Sequence, residues 1–280
     1  MLLSGIGILS LAIAAGIWLG CGGLETWQQV WILPAGFLGS YLVLAGIAFF
    51  FLWICCKRVD LDTPQEHDSK FFRHLSRVYI QAVISILRMR VTVTGREKLP
   101  KDGRFLLVCN HQCDLDPVVL LNEFPDAQLA FISKRENRDM FIIGPIMHRI
   151  MCQMINREND REALKTILKC IQLVKADEVS VAVFPEGYTS RDCKLHHFRP
   201  GVFKIAAKAE VPIVICTLQH TRQMLTNIRK LKPTDVQLHL VEVIPAAELK
   251  GKTAVEISDR VYESMIRDLG ADYLPAEEAD

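Results

Sequence analysis

Residues 1–56 carry a single charged side chain, Glu25. The other 31 Asp and Glu residues and all 33 Lys and Arg residues lie in residues 57–280. Such a head buries poorly in an ordinary globular core, because it offers almost no polar surface to water. Residues 2–23 form a run of 22 without a charge, and residues 31–56 a run of 26. A bilayer-spanning helix needs roughly 20 apolar residues, so both runs are long enough. The link at 24–30 is short, and Lys57 and Arg58 follow the second run at once. Basic residues stay on the cytoplasmic side, so residue 57 onward is expected in the cytoplasm, with the chain's start on the same side. Trp27 and Trp31 then fall at the far interface and Trp53 near the cytoplasmic one. Two alternatives remain. The first run could be a cleaved signal peptide, although no Lys or Arg precedes residue 57 to form its basic start. Pro34, Gly36 and Gly39 could instead break the second run into a re-entrant hairpin.

Beyond the head the composition is that of a soluble domain with net charge +2. The balance excludes wholesale disorder and gives no reason to expect nucleic acid as a partner. The nine cysteines are scattered, and no pair has the CxxC spacing of a zinc or redox site. No metal site is expected, and in a cytosolic body these thiols should be reduced packing residues.

Residues 57–104 hold 11 Lys and Arg against 6 Asp and Glu. Within them Phe71, Phe72, Leu75, Val78, Tyr79, Ala82, Val83, Ile86 and Leu87 recur at three-to-four spacing, which predicts an amphipathic helix. Lys70, Arg73 and Arg77 fall on its other faces. Beside a membrane head, that helix could lie on anionic headgroups or dock on its own domain. The chain then alternates. Strands are expected at 91–94, 105–109, 129–133, 153–155, 179–184, 213–218 and 236–243. Helices are expected at 117–123, 145–151, 160–175, 202–209 and 253–269. Alternating strands and helices predict an α/β domain. The expected division is a hairpin of two spans (1–56), a basic amphipathic segment (57–90), a catalytic domain (91–270) and an acid-rich tail (271–280).

Two polar loops each follow a buried strand, where α/β sheets place their sites. The first runs Asn110-His111-Gln112-Cys113-Asp114-Leu115-Asp116. A tight turn there could return Asp116 to the imidazole of His111, leaving the other ring nitrogen free as a general base. That is two-thirds of a serine-type triad, but the chain has no GxSxG, so the nucleophile is expected to be a hydroxyl of the substrate. The plainer alternative is a capping loop before Pro117. The second loop runs Phe184-Pro185-Glu186-Gly187-Tyr188-Thr189-Ser190-Arg191. Glu186 is expected to accept hydrogen bonds from substrate hydroxyls, and Arg191 and Lys194 to pair with phosphate. A plain turn with a solvated charge is the alternative.

The two loops in this order resemble the NHxxxxD and FPEG blocks of the PlsC-type 1-acyl-glycerol-3-phosphate acyltransferases. An intervening block resembles Lys134-Arg135-Glu136, then Gly144, then Ile155-Asn156-Arg157. A fourth resembles Val211-Pro212-Ile213-Val214, and Phe198-Arg199-Pro200-Gly201 is also similar to the family. The resemblance covers about residues 70–270. It departs at Cys113, where the family often has Ser, and at Tyr188-Thr189-Ser190, where the family usually has Thr-Arg-Ser. Thr189 therefore stands at the position of the family's Arg, which shifts the weight of phosphate binding to Arg157 and Lys134.

The resemblance implies a mixed sheet flanked by helices. It implies His111 and Asp116 as catalytic residues. Asn110, Lys134, Arg157, Glu186, Gly187, Ser190, Arg191 and Pro212 are the implied substrate contacts. The implied reaction moves an acyl group from acyl-CoA or acyl-carrier protein to the free hydroxyl of lysophosphatidic acid, giving phosphatidic acid. No bound cofactor is required; the thioester is a co-substrate. Glycerol-3-phosphate or another lyso-lipid is the alternative acceptor, and an inactive membrane-anchored lipid-binding protein is the alternative of a different class.

Overall fold

The computed structural model describes residues 1–23 and 27–275. Glu25, the side chain of Trp27 and the last acid-rich residues lie outside them. The head forms two helices, α1 (Leu2–Gly20) and α2 (Ile32–Lys57). Both are long and apolar enough to cross a membrane. α2 runs through Pro34, Gly36 and Gly39 without a break, so the re-entrant alternative is not what forms. The helices pack through small residues. A Cβ on Gly36 would sit 3.5 Å from Ala14, and Ser40 Oγ lies 2.6 Å from the Gly36 carbonyl and 3.3 Å from that of Ser10. Small side chains let apolar helices approach without a hydrophobic driving force between them.

The last turns of α2 are part of the body. Leu52 and Cys56 are buried in the same core as Phe72 and Leu75, and Tyr79 donates its hydroxyl to the Ala48 carbonyl at 2.5 Å. The expected amphipathic helix is α3 (Lys70–Ile86), capped by Ser69. One side of it docks on its own domain, while Phe71, Val83 and Ile86 of the expected apolar set stay exposed. Phe72, Leu75 and Ala82 are buried. Arg73, expected on a polar face, is pulled inward instead. Its guanidinium pairs with Asp68 and donates to the carbonyls of Leu129, Gln128 and Ile150.

Seven strands form one mixed sheet: β1 (Met89–Thr94), β2 (Leu106–Cys109), β3 (Leu129–Lys134), β4 (Gln153–Ile155), β5 (Ser180–Val183), β6 (Ile213–Gln219) and β7 (Thr234–Ile244). Their order is β1-β7-β6-β2-β5-β3-β4. All neighbours are parallel except the β6–β7 pair. The connecting helices are α4 (Asp116–Glu123), α5 (Ile143–Arg149), α6 (Asp160–Lys175), α7 (Lys204–Ala209), the short α8 (Met224–Asn227) and α9 (Ala254–Leu269). α8 follows β6 where only loop was expected, because four residues leave no readable period.

The central strands are buried on both faces, and successive side chains feed opposite layers. Leu107 and Cys109 of β2 join the layer with α2, α3 and α4. Leu106 and Val108 join the layer with α6, α7 and α9. Strands β2 to β6 share one direction, so the loops after β2, β3, β4, β5 and β6 all meet at one edge of the sheet.

Candidate active site

That edge holds the two polar loops. The turn after β2 closes through the Asp116 N–H, which donates to the Cys113 carbonyl at 2.9 Å and starts α4. It brings Asp116 Oδ2 to 2.9 Å from His111 Nδ1. The same oxygen accepts the backbone N–H groups of Gln112 at 2.7 Å and Cys113 at 2.9 Å. Asp116 is wholly buried, and its Oδ1 has no partner among the described residues. The imidazole stacks on Phe184 with ring centroids 4.1 Å apart. The ring is thus fixed in plane and in position, with Nε2 directed away from Asp116. A His held in this way is able to accept a proton at Nε2. The capping alternative is not what forms: Leu115 precedes α4 with no side-chain cap, and the carboxylate of Asp116, the first helical residue, turns back to the imidazole and the loop's own N–H groups.

The second loop is fastened to the first. Glu186, 1% exposed, accepts the His111 N–H at 2.9 Å through Oε1 and the His196 N–H at 3.1 Å through Oε2. Burial pushes its carboxyl up to about 7, and the two N–H donors oppose that only in part. Ser190 donates its N–H to the His111 carbonyl at 2.8 Å. Gly187 has φ +82, and a Cβ there would lie 2.9 Å from the Arg199 side chain, so glycine alone suits this turn.

An open cleft of about 660 Å³ lies over the two loops. Lys134, Arg191 and Arg222 line it, and none of the three has an ion-pair partner among the described residues. Asp114, Thr189, Asp192 and His196 complete its polar wall. Asp192 is held well below the usual carboxylate range. Burial would raise it, but hydrogen bonds from Ser190, the Lys194 N–H and His196 prevail. Arg222 and His196 were not singled out in the sequence, and Thr189 was noted only as a departure from the family pattern. Their signal was position alone: each lies in a loop at the carboxyl edge of the sheet.

Several expected contacts are engaged elsewhere. Asn110 is buried and pairs its amide with the backbone of Leu218, at 2.9 Å through Nδ2 and 2.7 Å through Oδ1. It joins β2 to β6 and does not reach the cleft. Ser190 is buried, with Oγ 2.7 Å from both Asp192 Oδ1 and the Lys194 carbonyl. Glu186 has both oxygens on backbone donors and none toward a substrate hydroxyl. Pro212 precedes β6 and accepts the Leu106 N–H at 3.0 Å, which puts it at the opposite edge of the sheet. Lys194 sends its ammonium to the Asp272 carbonyl. Arg157 lies just past β4 at the correct edge but is not among the cleft residues. It is half-buried and unpaired among the described residues, and burial, then neighbouring Arg199, lowers its pKa. Gly144, part of the expected block, is required by space: a Cβ there would meet the Arg138 carbonyl at 1.8 Å. Cys113 is buried and its thiol is raised by that burial, the reverse of a reactive thiolate.

Residues 90–219 match the family model described as Acyltransferase. The chain is 34% identical over 183 residues to a 1-acyl-sn-glycerol-3-phosphate acyltransferase of Chlamydomonas reinhardtii, covering 64% of this chain and 53% of that protein. It is 29% identical over 179 residues to a probable enzyme of the same name from Mycoplasma pneumoniae, covering 62% and 64%. The chain thus spans between half and two thirds of the length of these relatives. The crystal structure of the acyltransferase PlsC from Thermotoga maritima has the same fold, with a TM-score of 0.60 at 22% identity, over 80% of this chain and 86% of that one. The matched segment contains both polar loops, all of β1 but its first residue, and β2 to β6, so the dyad lies within it; Arg222 and Leu225 of the cleft lie just beyond its end.

Proposed function

We propose that this protein is a membrane-anchored O-acyltransferase. It moves a fatty acyl group from an acyl thioester, acyl-CoA or acyl-carrier protein, to the free hydroxyl of lysophosphatidic acid and forms phosphatidic acid. The observation that carries this reading is the His111–Asp116 dyad beneath a cleft lined by three unpaired cations, with the cleft residue Thr189 3.1 Å from His111 Nε2. The names of the relatives support the same substrate.

In this reading His111 Nε2 takes the proton of the acceptor's hydroxyl while Asp116 holds Nδ1–H. The acceptor oxygen attacks the thioester carbonyl. The tetrahedral intermediate collapses, the C–S bond breaks, and the leaving thiolate takes the proton back from the imidazolium. Lys134, Arg191 and Arg222 bind the phosphate of the acceptor, which distinguishes a phosphomonoester from a neutral lipid. Asn110, Glu186 and Ser190 hold the two loops together.

The apolar hairpin keeps the cleft at the bilayer, where acceptor and product reside. Lys57 and Arg58 at its end support a body on the cytoplasmic face, where thioester donors are found. Met140, Phe141 and Ile143 are exposed apolar residues beside the end of α2, where Cys56 Sγ lies 3.8 Å from the Ile142 carbonyl. They suit contact with the membrane surface.

The test is acyl transfer by the purified full chain to lysophosphatidic acid, lysophosphatidylcholine and glycerol-3-phosphate, with a His111→Ala control. Transfer to lysophosphatidic acid that disappears in the control is expected. Preference for either other acceptor, or an active control, would overturn the corresponding part of the reading.

A further inference from the structure

The resting site already has a hydroxyl in front of its base. Thr189 Oγ1 lies 3.1 Å from His111 Nε2 and 2.9 Å from Asp114 Oδ1. Four groups therefore run in series: Asp114, Thr189, His111 and Asp116. Asp116 at the far end is buried, and Asp114 at the near end faces the cleft.

Counting protons decides what this series can do. A threonine hydroxyl has one proton and two lone pairs. When that proton points to the Asp114 carboxylate, Nε2 faces a lone pair of Oγ1. A neutral ring whose Nδ1–H is held by Asp116 has only a lone pair at Nε2 and gains nothing from that arrangement. An imidazolium has Nε2–H and gains a hydrogen bond. With the neutral ring, the hydroxyl turns its proton to Nε2 and releases Asp114. The orientation of one hydroxyl thus follows the charge of the base.

We propose that Thr189 and Asp114 form a hydroxyl–carboxylate relay that receives His111 Nε2–H once the ring has taken the acceptor's proton. The inference rests on His111 being the base. The acceptor's hydroxyl must displace Thr189 from Nε2 to react. Its O–H bond breaks, the proton passes to Nε2, and the oxygen moves away to form the new C–O bond. Nε2–H is then left without its partner. Thr189 Oγ1 returns to accept it, with its own proton on Asp114, until the C–S bond breaks and the thiolate takes the Nε2 proton. Thr189 is a positioning residue in this account: it forms no bond to substrate and exchanges no proton in net.

The test compares Thr189→Val, Thr189→Ser and Asp114→Asn in the full chain against wild type and His111→Ala, by kcat, acceptor KM and pH profile. Valine keeps the shape of threonine and removes the hydroxyl. Thr189→Val should lower kcat about tenfold, the rate equivalent of one hydrogen bond, with acceptor KM changed little. Thr189→Ser should restore kcat. In Thr189→Val and Asp114→Asn the acid limb of the pH profile should move to lower pH, because the imidazolium loses an acceptor. Lys134, Tyr188, Arg191, Asp192, His196, Arg222 and the underlying Glu186 are unchanged in every variant, so the shift in Thr189→Val, which also keeps the Asp114 charge, reads the hydroxyl alone, whereas Asp114→Asn adds the loss of that charge. Wild-type kcat and profile in Thr189→Val, with His111→Ala inactive, would overturn the relay and leave the base in place. A Ser variant as slow as the Val variant would overturn it in favour of a packing role. An acyl group found on Thr189 by mass spectrometry, after thioester is added without acceptor, would overturn it in favour of a covalent nucleophile. An active His111→Ala would overturn both readings.

Discussion

Glu186 Oε1 accepts the backbone N–H of His111 at 2.9 Å, so a carboxylate from one loop holds the main chain of the other in place. Its second oxygen does the same for His196. The site is assembled by this buried side chain, which does not itself line the cleft.

That burial makes stability depend on pH. The Glu186 carboxyl is raised from 4.5 to about 7 in the folded protein. The folded state binds its proton more tightly than the unfolded chain does. The resulting contribution is full below about pH 4.5 and is lost as pH rises through about 7, an effect on the order of 3 kcal/mol. Thermal melts of the wild type in detergent should fall between pH 5 and 8. Glu186→Gln should melt lower throughout, because one amide hydrogen now opposes a backbone N–H, and its melting temperature should change less over that range. An equal slope in both proteins would show that another group governs the dependence.

The partner of the imidazole offers a second prediction. Asp116 Oδ2 takes three donors, His111 Nδ1–H and two backbone N–H groups. Asp116→Asn can turn either an oxygen or an NH2 toward that set. With oxygen it keeps the turn but loses the charge that favours imidazolium; with NH2 it meets three donors. Activity should fall by at least about 10²-fold, the usual scale of general-base loss. The fall should appear in kcat more than in acceptor KM, measured side by side with the melting temperature. Activity within a few-fold of wild type would mean that the Asp116 carboxylate only closes the turn before α4.

Much of this was legible in the sequence. The strands and helices of the body follow from alternation of apolar runs, and the five-residue reach from His111 to Asp116 follows from a turn ending in Asp-Pro. What was not legible concerns partners brought from afar. Arg73 looks like a surface cation in a helical pattern, yet carbonyls at the start of β3 and just past α5 draw it inward. Asn110, Glu186 and Ser190 look like ligands because they are polar and follow strands. Their partners are backbone groups of other segments, which no local pattern reveals. Pro212 sits next to a strand of the site but at its other end, and strand direction in a sheet is a property of topology. Arg222 reaches the cleft for the same reason in reverse.

The three unpaired cations give a third prediction. Lys134, Arg191 and Arg222 come from separate loops and line one cleft. Changing each to Ala should raise the KM for lysophosphatidic acid severalfold to tenfold or more, with the acyl-donor KM nearly constant. Arg191→Lys should recover less than full affinity if its planar fork grips phosphate oxygens. Arg157→Ala should have the smaller effect on acceptor KM, because Arg157 does not line that cleft. A larger effect from Arg157 than from the other three would move the phosphate site to the β4 edge.

The last prediction concerns the anchor. α1 and α2 are apolar along their length, and α2 continues into the core of the body through Leu52 and Cys56. The full chain should therefore resist extraction by high salt, which screens charge but leaves apolar burial intact, and should be released only by detergent. The junction is not a free joint. Removing residues 2–44 retains Ala48, Leu52 and Cys56 and should leave a cooperative melting transition. Removing residues 2–56 strips Tyr79 of its carbonyl partner and uncovers Phe72 and Leu75, and should cost on the order of 3 kcal/mol or more. Topology can be read at the opposite end of the hairpin. Cys21 is exposed just past α1, so with the body in the cytoplasm it faces the other side. A membrane-impermeant thiol reagent applied to intact cells should label Cys21 and spare Cys193 of the body. Labelling of Cys193 without Cys21 would invert the topology, and loss of the full chain from membranes in salt alone would remove the hairpin from the bilayer.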